Sequence, residues 1–230
     1  MIVLSRADNR STYSLFYQRI IGTKTLIGQK LFSYKQREIQ YIIEVIKVRG
    51  NNGLILDLGC STGQFTRKLA SEFGGANVHG ADISEKSISR CSRRSSEINY
   101  HHIDDEFYSK HGKKYQYVLL SHVLEHQEDP AAMLKEVKGL LREDGALILS
   151  VPQERIRGDS ALPENLYNLV RLKFENVHQI KHSLETLKLL LSQAQLSIKE
   201  HRYIHVFWSE RDEPSFTNHS LVVCAEPAQA

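Results

Sequence analysis

The stretch Leu54-Ile55-Leu56-Asp57-Leu58-Gly59-Cys60-Ser61-Thr62-Gly63-Gln64-Phe65 constrains the fold more than any other part of this chain. A short apolar run ends in a turn of small residues, and the turn opens directly into a helical stretch. Strand, tight turn and helix in that order begin a βαβ unit. The turn is where backbone amides and a helix N-terminus meet a ligand. Its residues must be small, because a larger side chain would hold the ligand off the backbone. A dinucleotide fingerprint would need glycines at 59, 61 and 64. Ser61 and Gln64 stand at two of those positions, so a pyrophosphate fits poorly.

The alternation continues downstream. Val78 to Asp82 reads as a second strand, and Ser84 is a good N-cap type for the helix after it. Residues 98 to 103 read as a third strand and Tyr115 to Ser121 as a fourth, with a helix from about Asp129 to Leu141 next. Residues 146 to 151 form a fifth, closed by Pro152. Strands alternating with helices of ten to fifteen residues predict a parallel sheet covered on both faces. After Pro152 the rhythm breaks over 153–181. A helix is then expected from Ser183 to Ala194, followed by strand-like runs at 201–208 and 219–225 around the loop residues Asp212 to Ser215.

The first fifty residues differ from the rest. They hold nine Lys and Arg against three acids, while the whole chain is only +3. Apolar pairs recur at roughly helical spacing: Leu15/Phe16, Ile20/Ile21, Leu26/Ile27 and Leu31/Phe32. The segment reads as a helical cap, residues 1–50, with an apolar stripe on the core and a basic face in water. That face is also compatible with peripheral contact at a membrane surface.

A length of 230 residues suits one domain with an elaborated part, here taken as 51–230 with a substrate-side insertion at about 153–181. The 41% hydrophobic and 25% charged content excludes wholesale disorder and fibrous repeats. The mildly basic balance lacks the clustered charge that argues for nucleic acid. Cys60, Cys91 and Cys224 are too few and too scattered for a disulfide framework, and no C-x-x-C offers a zinc site. No apolar run approaches the length needed to span a bilayer. The expected address is the cytoplasm.

Asp82 ends the second strand, nineteen residues after Gly63. An acid there can accept both hydroxyls of a ribose; its bland alternative is to cap the helix at Ser84. With Asp57-x-Gly59-x-Ser61-x-Gly63, it makes the chain resemble class I S-adenosylmethionine (SAM)-dependent methyltransferases. The resemblance runs in order over about 50–152. It takes in Tyr100-His101-His102-Ile103-Asp104, then residues 115 to 126, and the turn and strand from Leu140 to Pro152. Most relatives carry an acid where this chain has Gln116.

The resemblance implies a doubly wound α/β fold, with a seven-stranded, mostly parallel sheet and a Rossmann-like methyltransferase topology. It also implies SAM as cofactor, held by Asp57, Gly59, Cys60, Ser61, Gly63, Asp82, Ile83, Asp104 and Ser121. In that family Asp82 would take the ribose, Ile83 would lie on adenine and Asp104 would meet the adenine amino group, with Asp105 the adjacent alternative.

The Leu124-Glu125-His126 triplet followed by a later His178 resembles the O-methyltransferases of ubiquinone biosynthesis and related quinone, sugar and natural-product enzymes. The acceptor is then a small molecule. A hydroxyl acceptor must lose a proton, and histidine is the usual base near neutral pH. His178 is taken ahead of His126 for that role. N- or C-methylation, RNA 2′-O-methylation and a non-catalytic SAM-binding role are the alternatives. RNA enzymes of the Glu-x-x-Glu-His type bind a metal, but His122 replaces the first carboxylate here, so no metal is assigned. The basic N-terminal segment, with Tyr13, Tyr17 and Tyr34, and the 153–181 insertion are expected to close over the substrate. Oligomeric state is not legible.

Overall fold

In a computed structural model of the chain, residues 26–153, 182–205, 212–214 and 218–228 are described, with side chains from Lys35 onward. Helix α1 (Leu26–Arg49) leads into β1 (Leu54–Leu58), α2 (Gln64–Phe73), β2 (Val78–Asp82), α3 (Glu85–Arg94) and β3 (Asn99–His102). A short α4 (Phe107–Lys110), β4 (Tyr115–Ser121), α5 (Pro130–Leu140) and β5 (Leu141–Pro152) follow. From residue 182 on come α6 (Leu184–Gln193), β6 (Leu196–His205) and β7 (Asn218–Pro227).

The helices start where the local chemistry allows it. Ser84, Asp129 and Ser183 each accept a hydrogen bond from a backbone N–H three residues on, capping α3, α5 and α6. Helix α2 starts differently. Its N-cap, Gly63, is left-handed at φ 72°, and no side chain caps it.

The seven strands form one sheet in the order β3-β2-β1-β4-β5-β7-β6. β7 runs antiparallel to both neighbours, and the pairings among β1 to β5 are parallel. The doubly wound, mostly parallel sheet expected from the sequence is therefore the observed fold. Alternation of side chains splits the core between its two faces. Leu56, Leu58, Val118, Leu120, Leu147 and Leu149 pack beneath α5 and α6. Ile55, Leu119 and Ile148 face the opposite way, against Leu69 and the α1 residues Ile39, Ile42, Ile43 and Ile46. Those four recur at three- and four-residue steps, the period that puts one stripe on the sheet.

The limits of four strands differ from the sequence reading. β3 is shorter, at Asn99–His102. β5 starts at Leu141, not 146, because Leu141 pairs with Tyr115 and residues 142–145 bulge opposite Gln116 before Ala146 pairs with Tyr117. β6 begins at Leu196, paired with Pro227, so β7 also runs longer than expected. Residues 206–208 of the expected sixth strand lie outside the described residues. No helix among the described residues is long and apolar enough to cross a membrane.

Candidate functional site

Parallel strands bring their C-terminal ends to one edge, and the chain order reverses between β1 and β4, where open α/β sheets form a crevice. The glycine turn closes this edge. The amides of Gly59 and Cys60 both donate to Ala81 O, at 2.7 and 2.9 Å, locking the turn to the end of β2. Gly59 has φ +84°, and a Cβ there would stand 2.5 Å from Val123 Cγ2. A Cβ on Gly63 would meet Arg67 and Cys91 Sγ at 2.9 Å. Ser61 is itself left-handed, at φ 49°. The backbone is thus shaped into a cradle that side chains would fill. Gly63 supplies no side-chain cap to the start of α2, where the first-turn N–H groups have no intrahelical acceptor.

Two buried acids flank the cradle. Asp57 accepts from Thr66 Oγ1 at 2.6 Å; burial raises its pKa to about 6, against the opposing hydrogen bond. Asp82 accepts from Ser61 N and from Ser84 N, each at 2.8 Å, one bond per carboxylate oxygen. It is not the cap of α3; Ser84 performs that task. Each Asp82 oxygen keeps a lone-pair site for a further donor. The next residue, Ile83, is 45% exposed, one of three large apolar side chains in solvent among the described residues. Asp104 is exposed and accepts from Glu106 N at 3.0 Å, while Cys60 is buried with its thiol pKa pushed up by that burial.

A second cluster lies beside the exit of β4. Glu38, from α1, is fully buried and accepts from Ser150 Oγ at 2.7 Å, Ser220 Oγ at 3.1 Å and Ser121 Oγ at 3.3 Å. His122 Nε2 lies 3.3 Å away. Burial alone would raise the Glu38 pKa, but the His122 charge carries it down to about 2. Burial likewise opposes a charge on His122, yet Glu38 and then Glu125 raise its pKa to about 10. His122 sits at φ 53°, a backbone region uncommon for a non-glycine residue. Glu125 is also fully buried, and among the described residues neither of its oxygens receives a hydrogen bond. Its closest ring nitrogens are His122 Nδ1 at 3.7 Å and His126 Nε2 at 4.0 Å.

The structure therefore gathers Asp57, Gly59, Cys60, Ser61, Gly63, Asp82 and Ile83 around the glycine turn at the C-terminal ends of β1 and β2. Asp104 follows β3 on the same edge. Ser121 ends β4, but its hydroxyl is turned toward Glu38. His126 closes a short 3₁₀ turn, Leu124–His126, with its side chain 46% exposed. His178, Tyr13, Tyr17 and residues 154–181 lie outside the described residues, and the side chain of Tyr34 is not described. Sequence reasoning missed Glu38 and His219, whose neighbours come from distant segments. It also missed Cys91, whose Sγ donates to Ser61 O at 3.6 Å and braces the turn. Gln116 uses its side-chain oxygen to accept from Asn52 N at 2.7 Å, which gives the departure from the family's acid a structural role.

Comparison with known proteins bears on this arrangement. A family model described as Methyltransferase domain matches residues 29–201. The ubiquinone biosynthesis O-methyltransferase of Coxiella burnetii (strain Dugway 5J108-111) is 31% identical over 116 residues, 49% of this chain and 48% of that protein. The chain thus spans about half the length of these curated relatives. The ubiquinone biosynthesis O-methyltransferase of Actinobacillus pleuropneumoniae serotype 7 (strain AP76) is 24% identical over 182 residues, covering 70% of this chain and 77% of its own. Among solved structures, magnesium protoporphyrin IX methyltransferase from Synechocystis PCC 6803, with bound SAH, aligns at a TM-score of 0.62 and 21% identity. That alignment covers 91% of this chain and 92% of the other. At that identity the likeness is one of fold.

Proposed function

The chain belongs to the methyltransferase-domain family, and from that premise we propose that it moves a methyl group from SAM to a hydroxyl oxygen of a small molecule. The acceptor class is a quinone, sugar or natural product. The observation that carries the cofactor is the combination of cradle, acid and exposed apolar side chain. A Cβ would fill the cradle at Gly59 or Gly63. Asp82 keeps acceptor capacity for two ribose hydroxyls, and Ile83 offers an apolar face beside it where a solvated loop residue would ordinarily be polar. This donor and acceptor set fits a nucleoside with a small amino-acid tail.

In this reading the turn of Gly59, Cys60, Ser61 and Gly63 accommodates the methionine portion, with Asp57 behind it. Asp82 takes the ribose, Ile83 and Asp104 take the adenine, and Ser121 lines the exit of β4. Bound SAM supplies an electrophilic methyl group on a sulfonium. The chain aligns donor and acceptor for in-line displacement, which is where most of the rate comes from in such a transfer. A histidine, His178 or His126, takes the hydroxyl proton. The small-molecule O-methyl class rests on the Leu124-Glu125-His126 triplet and on the named ubiquinone biosynthesis relatives. We assign the enzyme to the cytoplasm, because three scattered, unpaired cysteines suit a reducing compartment.

Titration calorimetry with SAM, its demethylated product and NAD tests the cofactor: binding of NAD but of neither sulfur ligand would overturn it. Incubating methyl-labelled SAM with mass-fractionated extracts tests the acceptor. Label on a nitrogen, a carbon or a macromolecule would replace the hydroxyl assignment.

A further inference from the structure

Two carboxylates that see no solvent converge on one imidazole. Glu38 and Glu125 are each 0% exposed, and His122 stands between them, with Nε2 toward Glu38 at 3.3 Å and Nδ1 toward Glu125 at 3.7 Å. His219, whose ring centroid is 5.8 Å from that of His122, brings its own Nε2 to 3.7 Å from Glu38 Oε2. One ligand atom each from Glu38, His122 and His219 falls within 4.8 Å of the other two. We propose that Glu38, His122 and His219 form a binding site for one divalent transition-metal ion of the zinc type, backed by Glu125.

The spacing suits such an ion. Bonds of about 2.0–2.2 Å in a tetrahedral shell put ligand atoms about 3.3 Å apart. Two of the three separations, both to Glu38 Oε2, stand at 3.3 and 3.7 Å, and the third lies within 4.8 Å. The donor chemistry selects the metal. Two imidazoles with one carboxylate favour zinc, cobalt, nickel or iron over magnesium and calcium, which prefer all-oxygen shells.

The surroundings match those of a built site. Ser150 and Ser220 donate onto the Glu38 carboxylate and fix its orientation. Glu125 stands behind His122 Nδ1, the relationship by which a carboxylate commonly orients a metal-bound histidine. That gives a role to the Glu125 oxygens, which receive no hydrogen bond among the described residues. The side chains of Glu38 and His219 are 0% and 3% exposed while that of His122 is 30%, so among the described residues the set is open to solvent at His122. The set differs from a His122-x-x-Glu125-His126 reading. Its carboxylate comes from α1 and its second imidazole from β7, and His126 takes no part.

The test uses the full chain, stripped with chelator, then titrated with Zn²⁺ by calorimetry and with Co²⁺ by visible absorption. The expected result is one equivalent bound, tetrahedral-type cobalt bands and a raised melting temperature. Glu125→Gln should weaken Zn²⁺ by about 10–100-fold, the range that outer-sphere partners control. Glu38→Gln and His219→Gln should weaken it further, and His126→Ala should leave it unchanged. If Glu38→Gln does not fold, the paired His219→Gln and His126→Ala variants carry the comparison. Folded wild-type chain that takes up no stoichiometric Zn²⁺ overturns the proposal. So does binding that survives His219→Gln and is lost in His126→Ala.

Discussion

Ser150 Oγ, on β5, donates to Glu38 Oε1, on α1, at 2.7 Å, a fully buried bond between residues 112 positions apart. It ties helix α1 to the C-terminal edge of the parallel strands. Apolar packing holds the rest of α1, so this bond sets where along the sheet the helix rests rather than whether it packs.

The first prediction follows from that tie. Glu38→Ala removes the acceptor for three hydroxyls and leaves His122 beside Glu125 alone. Breaking a buried charged pair from one side costs about 3–5 kcal/mol. Ser150→Ala removes one hydrogen bond to a charged group, about 1.5–3 kcal/mol. Urea unfolding should show both losses at an unchanged m-value. A Glu38→Ala variant within about 0.5 kcal/mol of wild type would mean the cluster is not closed as described.

Gly59→Ala tests the cradle. The left-handed backbone costs an alanine about 1–2 kcal/mol, and its methyl group would meet Val123 Cγ2 at 2.5 Å. SAM affinity should fall by about tenfold or more, roughly 1.4 kcal/mol. Adding Val123→Ala relieves the clash but not the backbone strain, so recovery should be partial. Full recovery would mean that φ +84° is not required in solution.

Asp82→Ala should weaken SAM by about 1–3 kcal/mol, through loss of charge-assisted hydrogen bonds. It should also lower stability, because Ser61 N and Ser84 N lose their acceptor. Asp82→Asn retains one side-chain oxygen acceptor and so should fall between. Calorimetry alongside thermal melts separates the two effects. Unchanged affinity in a destabilised Asp82→Ala would reduce this residue to a turn-holding role.

What was legible in the sequence was local. Asp57, Gly59, Gly63, Asp82 and Ile83 lie within one strand–turn–helix–strand unit, where spacing alone fixes neighbours. The limits of β2, β4 and α2 follow from the same short-range patterns. Glu38 and His219 were not legible, since their partners stand 84, 112 and 182 positions from Glu38 and meet only when β4, β5 and β7 align. The early start of β5 escaped for a related reason. Arg142, Glu143, Asp144 and Gly145 read as a turn, and only the pairing of Leu141 with Tyr115 makes them a bulge within a strand.

Acid should destabilise the far side of the sheet. His101 Nε2 lies 3.0 Å from His79 Nδ1, and Tyr115 OH lies 3.2 Å from His79 Nδ1 and 2.6 Å from His111 Nδ1. Burial first, then like charge from neighbouring rings and Lys114, lowers His79 and His101 to about 4; burial and then Lys114 lower His111 below its usual range, with Asp104 opposing. The folded rings are neutral and the unfolded ones protonate near 6.5, so the unfolded state binds more protons between those values. Stability is then complete above about pH 6.5 and is lost as pH falls toward 4. For His79 alone the full effect is about 3 kcal/mol, with the three rings titrating together. Melts from pH 7 to 4.5 should drop steeply in wild type and less in His101→Gln. Equal slopes would show that these rings do not govern the acid limb.

The last prediction concerns the proton. The sequence favours His178, from the segment after β5, over His126, which stands half-exposed 4.0 Å from the buried Glu125. A histidine base gives a rate limb that falls toward acid, because protonation removes the acceptor. Removing that histidine should cost about 10²–10⁴-fold in turnover and leave SAM affinity almost unchanged. A histidine with only a packing role behaves otherwise: its loss lowers melting temperature and SAM affinity together. His178→Ala and His126→Ala, each measured at saturating acceptor across pH, separate the cases. If His178→Ala keeps near-normal turnover and His126→Ala loses both turnover and the acid limb, the base is His126. If both variants keep the limb, the acceptor hydroxyl loses its proton to another group or to water, and neither histidine is catalytic.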